Sequence, residues 1–336
     1  MSHGSTKWWK YPNSTVIYRP KEAAESYLDA ASLGAFLGYL QELLEWERTG
    51  ALPSGEDELD GALHHRSLET LPGNPHGLVK DQHMITRTHL SWFGGKDGKV
   101  CILQKGQDRV KYVYPKNRIF CAHRLWSHSA ELWAQPIERE FNKIARHAVA
   151  AVSAGADFRV TNQNAATEYW ALCRARVRVR DFPPRPVNLE GQERDILPQA
   201  TKDALELDGY AMYSAEGDET RAVASAMLRR LMLMDMQEVE KKRVKWCVGV
   251  TDDDSVVLPD LFPYFVVPIS HDVLLYGLPD AVESAPPPGR LPPAMAAEAA
   301  QQFFSGARRF LVARSEKVLG QLSRAGDVLP PAEGAD

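Results

Sequence analysis

The spacing of hydrophobic positions changes several times along the chain, and each change marks an element. Between Lys21 and Arg48, Leu33, Phe36, Leu37, Leu40, Leu43 and Leu44 recur at helical spacing, which predicts an amphipathic helix. Gly50 and Pro53 close it. Its apolar stripe is too wide to face water, so it must bury against the core or against a second copy of the chain. Residues 51–79 have no period and are rich in Gly, Pro, acids and His, which reads as a linker or long surface loop. After the turn-forming run Gly94–Gly98, the stretches Val100–Leu103, Val110–Tyr114 and Ile119–Ala122 read as strands of a small antiparallel sheet.

Helical spacing returns over Glu131–Val152, where Leu132, Ile137, Phe141, Ile144 and Val149 share a stripe. Thr161 or Asn164 is placed to cap a helix running to about Arg178. A short helix is expected near 199–212. A long one is expected from Asp218 to about Lys242, with Val223, Met227, Leu231 and Met234 inward and its methionines as core filler. The period then drops toward two over Lys245–Thr251, Ser255–Leu258, Tyr264–Ile269 and Asp272–Tyr276, with Asp252–Asp254 as a hairpin turn. Pro286–Pro288 and Pro292–Pro293 read as a stiff linker. Ala294–Leu322 reads as one last helix with Phe303, Phe304, Phe310, Leu311 and Leu319 on its apolar side. Strands, then helices, then strands argue an α+β fold: small antiparallel sheet segments with several packed helices. The expected organisation is an N-terminal tail (1–20), an extension helix (21–50), the loop at 51–79, one main domain (80–324) and a disordered tail (325–336).

Composition narrows the class without naming an activity. The chain has 336 residues, 44% hydrophobic and 25% charged, which excludes collagen-like, coiled-coil, disulfide-stapled and fully disordered chains. The net charge of -4 conceals an asymmetry. Residues 80–180 carry 18 Lys/Arg against 8 Asp/Glu, a local +10, so the remainder carries -14. Such asymmetry points to an anionic partner, either nucleic acid or an acidic protein. Cys101, Cys121, Cys173 and Cys247 form no CxxC pair, so they read as buried thiols in a reducing cytoplasm. No apolar run reaches the length of a membrane span, and no secretory signal opens the chain, so no membrane partner is expected.

His83, Leu90 and Phe93, followed by Asp97-Gly98-Lys99-Val100, resemble the opening of the domain-of-unknown-function family 4238. Ala165–Leu172 is similar to that family's central helix. Leu258-Pro259-Asp260, Pro268-Ile269-Ser270 and Gly306-Ala307-Arg308-Arg309-Phe310 are similar to its later motifs. The likeness covers about residues 81–315. Met84-Ile85-Thr86 and Leu261-Phe262 depart from it. It implies that residues 1–79 are an added extension and that the proline stretch at 286–293 lies inside the domain.

Candidate chemistry gathers at a few places. Five of the ten histidines (His64, His65, His76, His83, His89) lie between residues 64 and 89. His65, Asn74 and His83 follow an HNH-like order, but nine residues from His65 to Asn74 are too few for the strands that such a nuclease places between them. No carboxylate or Cys stands at ligand spacing, so no metal site is assigned, the cofactor is unknown, and the loop histidines read as solvated. His83 sits in a strand-like stretch and is the candidate general base, with Asp260 as its orienter or a metal ligand. Ser270 and Arg308 complete the polar pocket, Arg308 as an anion clamp. The plainer alternative is a buried His–Asp pair that fixes the fold. Arg174, Arg176, Arg178 and Arg180 alternate with apolar residues. As a strand they make one basic face; as a helix end they spread around the surface. With Lys105, Arg109, Lys111, Lys116 and Arg118 they would line a phosphate-binding groove, where Tyr112, Tyr114, Trp126 and Trp170 would stack on bases. Two functions follow from these residues. One is a hydrolase or nuclease-like enzyme acting on an anionic substrate. The other is a non-catalytic module that binds nucleic acid or an acidic protein through residues 80–180.

Overall fold

The computed structural model describes residues 8–10, 16–18, 41–45, 70–107, 109–156, 158–183, 198–209, 211–213, 219–251, 255–263, 265–279 and 289–326. In chain order the elements are β1 (Trp8–Lys10), β2 (Val16–Tyr18), β3 (Asp81–His83), α1 (Arg87–Ser91), β4 (Val100–Gln104), β5 (Val110–Val113), a 3-10 turn (Arg118–Phe120), β6 (Cys121–His123), α2 (His128–Ser153), α3 (Gln163–Asp181), α4 (Gln199–Leu207), β7 (Ala211–Tyr213) and α5 (Glu219–Lys241). Then come β8 (Lys245–Val250), β9 (Leu258–Pro259), β10 (Val266–Pro268), β11 (Val273–Leu278), β12 (Gly289–Arg290), α6 (Pro293–Gly306), β13 (Phe310–Ala313) and α7 (Glu316–Gly326). The fold is α+β, as the changing period predicts. Residues 41–45 of the expected 21–48 helix are helical, with Leu43 buried. The rest of that helix, the turn at 252–254, the prolines at 286–288 and the tail at 327–336 lie outside the described residues.

The chain divides into two compact units. One comprises Met1–Gln82, Ala122–Gln135 and Arg178–Leu231; the other comprises His83–Cys121, Pro136–Val177 and Met232–Asp336. Each unit draws on three separate stretches of the chain.

In the first unit, β1, β2 and β7 form an antiparallel sheet. The described part of the 51–79 segment is tied down: the Leu71 N–H donates to Asp203 Oδ2 (2.8 Å), and the Asn74 amide closes its own loop onto Leu78. Asn74 is thereby a turn residue with φ 49°. The electrostatic centre of the unit is Glu206. Its Oε2 accepts from Arg124 Nη2 (2.6 Å) and Arg221 Nη1 (2.7 Å), and its Oε1 accepts from the main-chain N–H of His128 (3.0 Å), at the start of α2. All three charged side chains are buried. One carboxylate thus compensates two guanidinium groups and a helix N-terminus.

The second unit holds two four-stranded sheets. One has the order β5-β4-β13-β9 and is antiparallel throughout. The other has the order β10-β11-β8-β12, with β12 parallel to β8. Two expectations are corrected here. The single helix expected over Ala294–Leu322 is α6, β13 and α7: Phe310–Ala313 are all buried and pair with β4 and β9. The strands flanking residues 252–254 take other partners among the described residues: β8 pairs with β11 and β12, and β9 pairs with β13. Phe303 of α6 and Leu319 of α7 pack with Cys101, Leu103 and Leu311 of the first sheet in one apolar cluster. Asn162 caps α3, its Oδ1 accepting from the Ala165 N–H (3.1 Å), in place of the expected Thr161 or Asn164.

A further correction concerns His89. It is not a solvated loop residue. It lies in α1, whose N-cap Thr86 accepts from the His89 N–H (3.1 Å), and it is fully buried. Its Nε2–H donates to the carbonyl of Pro268, and its Nδ1 accepts from the Tyr169 hydroxyl (2.9 Å). The rings of Phe93, Phe141 and Phe262 enclose it. Burial lowers its pKa from 6.5 to about 4, against the bond to Pro268, which raises it.

Two outcomes follow. Replacing Glu206 with Ala removes the carboxylate shared by the buried Arg124 and Arg221, and urea denaturation should show a loss of roughly 3–5 kcal/mol; a loss below about 1 kcal/mol would make the cluster peripheral. His89 requires a neutral ring in the folded state, so its contribution is complete above pH 6.5 and is lost as the pH falls toward about 4. At about 1.4 kcal/mol per pKa unit this amounts to roughly 3 kcal/mol. Stability of the His89→Gln variant should fall less steeply over that window than that of the unaltered chain.

Candidate functional site

β5 ends its sheet, hydrogen-bonded to β4 on one side. β4 buries Val100, Cys101, Ile102 and Leu103, which anchors β5 from beneath. β5 itself leaves Lys111 and Tyr112 in water. The chain then turns at Tyr114–Asn117, closed by the Asn117 N–H on the Tyr114 carbonyl (2.8 Å). Asn117 Oδ1 accepts from the Ile119 N–H (3.0 Å) and starts the 3-10 turn. This geometry exposes Tyr114, Lys116 and Arg118. Tyr112 and Tyr114 keep 55% and 49% of their surface exposed, large values for aromatic residues anchored on a sheet.

The segment that carries these two rings is rich in cations. Between Lys96 and Arg118 the sequence has seven Lys/Arg and two Asp. The Lys99 ammonium lies 5.6 Å from the Tyr114 ring centre, and that of Lys105 lies 4.4 Å from the Phe304 ring. Lys105 is exposed as a whole, yet its ammonium against Phe304 is partly desolvated. Burial lowers its pKa, the Asp260 charge raises it, and Arg308 lowers it again. Lys111 donates to the neutral amides of Gln104 (2.8 Å) and Gln107 (2.9 Å), so these contacts hold its position without cancelling its charge. Among the described residues, Asp97 lies 3.5 Å from Lys99, and Glu316 accepts from the Tyr112 hydroxyl (3.3 Å).

The same turn abuts His83. Main-chain bonds from Met84 to Phe120 (2.9 Å) and from Arg124 to Lys80 (2.9 Å) bracket β3 and β6 and set His83 opposite Cys121. The Cys121 sulfur lies 3.5 Å from both ring nitrogens of His83, whose Nε2 is 3.3 Å from the Pro115 carbonyl. Both side chains are half-buried. Burial raises the thiol pKa of Cys101 and Cys247, and that of Cys173 to about 12. Sequence reasoning groups Cys121 with these. Only the long-range β3–β6 pairing sets it against an imidazole.

The other anticipated residues have their own partners. Asp260 is fully buried, and its carboxylate accepts the main-chain N–H groups of Arg308 (2.8 Å) and Arg309 (3.0 Å). It thus meets Arg308 through the backbone. His83 takes Pro115 and Cys121, a pairing different from the His83–Asp260 partnership suggested by the sequence. Ser270 is buried and donates to Asp272 Oδ1 (2.7 Å), which lies 3.5 Å from His271 Nδ1; Arg314 donates to the other nitrogen of His271.

The arginine run is helical, in α3, and its expected basic face is replaced by internal ion pairs. Arg174 pairs with Asp235 (3.1 Å), donates to the Phe262 carbonyl (2.6 Å) and lies over Trp170. Arg176, 1% exposed, pairs with Glu138 (2.6 Å). In the first unit Arg180 pairs with Asp181 (2.7 Å), and Arg178 is half-buried. Trp126 and Trp170 are buried and present no stacking surface. A period-two alternation of Arg with Ala and Val also suits a helix enclosed on most sides, which is what forms. Among the described residues, no group of three or more His, Cys, Asp or Glu is placed to hold a metal ion, and no helix is long and apolar enough to cross a membrane. Comparison with protein-family models, with curated proteins and with solved structures finds no match.

Proposed function

We propose that the basic, aromatic strip on β5 and the turn after it binds single-stranded nucleic acid, so that the chain acts as a binding module. The observation that carries this reading is the exposure of Tyr112 and Tyr114 amid Lys99, Lys105, Arg109, Lys111, Lys116 and Arg118. Exposed rings supply faces on which bases stack, at about 1–3 kcal/mol per base. Surrounding cations supply phosphate contacts whose strength falls with salt. Arg174, Arg176 and Arg180 of α3, which the sequence alone would add to this surface, are engaged with internal carboxylates, so the strip narrows to residues 99–118. An acidic protein would satisfy the charges but leave the two rings without a purpose. A nuclease-like activity keeps one supporting feature, the His83 imidazole beside the strip, but Asp260 is occupied with main-chain donors.

Fluorescence anisotropy with a labelled oligo-deoxythymidine of about 15 nucleotides tests the proposal. Binding should weaken as salt rises. Tyr112→Ala and Tyr114→Ala should each weaken it roughly tenfold. Lys111→Ala and Lys116→Ala should each make the salt slope shallower by about 0.7. Absence of binding at low salt, or binding indifferent to both tyrosines, would overturn the reading. Equal displacement by polyglutamate and by unlabelled oligonucleotide would assign the strip to an acidic protein.

A further inference from the structure

Residues 124–127 lead from β6 into the start of α2, all within the first unit. Arg124 is exceptional among them in two ways. Its φ is +46°, a left-handed conformation that is costly for a residue with a side chain. It is also 1% exposed, and Glu206 meets its guanidinium at Nη2. Among the described residues, its buried Nε and Nη1 have no hydrogen-bond partner. Those two nitrogens carry three N–H donors on a charged group, and native structures rarely bury such donors without an acceptor. His128 opens α2 beside it. Its Nδ1 accepts the Val79 N–H (3.3 Å), a group that can only donate, so Nε2 carries the ring hydrogen as a further donor. Burial lowers the His128 pKa, the Glu131 charge raises it, and the Arg124 charge, which reaches the ring, lowers it again. The neighbouring acids serve other donors: Glu206 takes Arg124 Nη2, Arg221 and the His128 N–H, Glu131 takes the Trp126 indole, and Asp203 takes the Leu71 N–H and Gln199. Ser127 links its hydroxyl to those of Ser129 (3.0 Å) and Ser225 (2.9 Å), and Ser127 and Ser129 are half-buried, so water reaches the loop on their side.

We infer that this strand-to-helix loop binds a phosphate group, with Arg124 and His128 as its donors at the N-terminus of α2. The buried Arg124, Arg221 and Glu206 sum to one positive charge, and the buried Lys202 and Asp203 of α4 cancel each other. The dipole of a 26-residue helix adds positive potential at the same end. Nε and Nη1 stand at different corners of the guanidinium, so an ion with several oxygens suits them better than a single-atom ion. Phosphate offers four oxygens and the charge to offset the surplus. It supplies the acceptors that Glu206 does not, which gives the strained backbone a use: it holds the Arg124 side chain inside, at the helix end. The group comes from free phosphate or from a nucleotide. The strip on β5 belongs to the second unit and works through exposed rings, so the two proposals stand or fall separately.

The test contains no oligonucleotide. The full chain is titrated with inorganic phosphate, and with chloride at equal ionic strength, and followed by calorimetry and by hydrogen-exchange mass spectrometry. Exchange over residues 124–131 should slow and saturate with phosphate and stay unchanged with chloride. A nucleoside 5′-monophosphate in a second titration assigns the source: tighter binding than inorganic phosphate points to a nucleotide, and equal or weaker binding to free phosphate. Arg124→Lys keeps the charge beside Glu206 but removes the Nε and Nη1 donors, and should weaken phosphate binding at least about tenfold. No phosphate-specific protection over residues 124–131, protection confined to residues 109–118, or an unchanged affinity in Arg124→Lys would each overturn the inference. The exchange measurement is made on the unaltered chain and decides the matter even if the variant folds poorly.

Discussion

The sheet that carries the candidate surface is held at its far side by one carboxylate. Asp260 follows β9, and its two oxygens take the N–H groups of Arg308 and Arg309, just before β13 begins. Its own N–H donates to the Phe310 carbonyl (3.1 Å). A buried carboxylate without donors would cost several kcal/mol; here the donors are main-chain groups that a loop between a helix and a strand would otherwise leave unsatisfied. The bond fixes where α6 stops and β13 starts. β13 then pairs with β4, and β4 supports β5. The residues that face solvent at Tyr112 and Tyr114 therefore depend on a contact on the opposite side of the sheet.

Charge within each unit follows a similar economy. Glu206 in the first unit, and Glu138 and Asp235 in the second, each receive a guanidinium that would be prohibitive to bury alone. The excess of cations at 80–180 thus has two fates. In α3, Arg174 and Arg176 meet acids of neighbouring helices and Arg180 meets Asp181 of α3 itself. Along β5 and the following turn it stays at the surface, where it sets the local field. Net charge alone does not separate these fates, because both stretches read as equally basic.

Several features were legible in the sequence because their causes are local. The β4–β5 ladder is set by alternation and by the turns that flank it, and α2, α3 and α5 by helical spacing. What was not legible depends on distant partners. Phe310–Ala313 is four apolar residues between helix-forming segments, and it becomes a strand because Asp260, 48 residues before Arg308, captures its entrance. His89 looks like its neighbours in a histidine-rich stretch, and only packing against Phe141, Tyr169 and Phe262 makes it a core residue. His83 was singled out from its own segment, but its companion Cys121 was not, since a ladder between β3 and β6 decides which side chain stands opposite.

β5 lies at the margin of its sheet, and among the described residues one row of its main-chain N–H and C=O groups has no neighbouring strand. Such a margin is a template on which another strand, including one from a second copy, can assemble. Lysine on a marginal strand opposes that assembly, because like charges would be brought face to face. Lys111 on this strand therefore works against self-assembly through the sheet margin. The charge proposed to attract an anionic chain would, on the same strand, oppose pairing with its own copy.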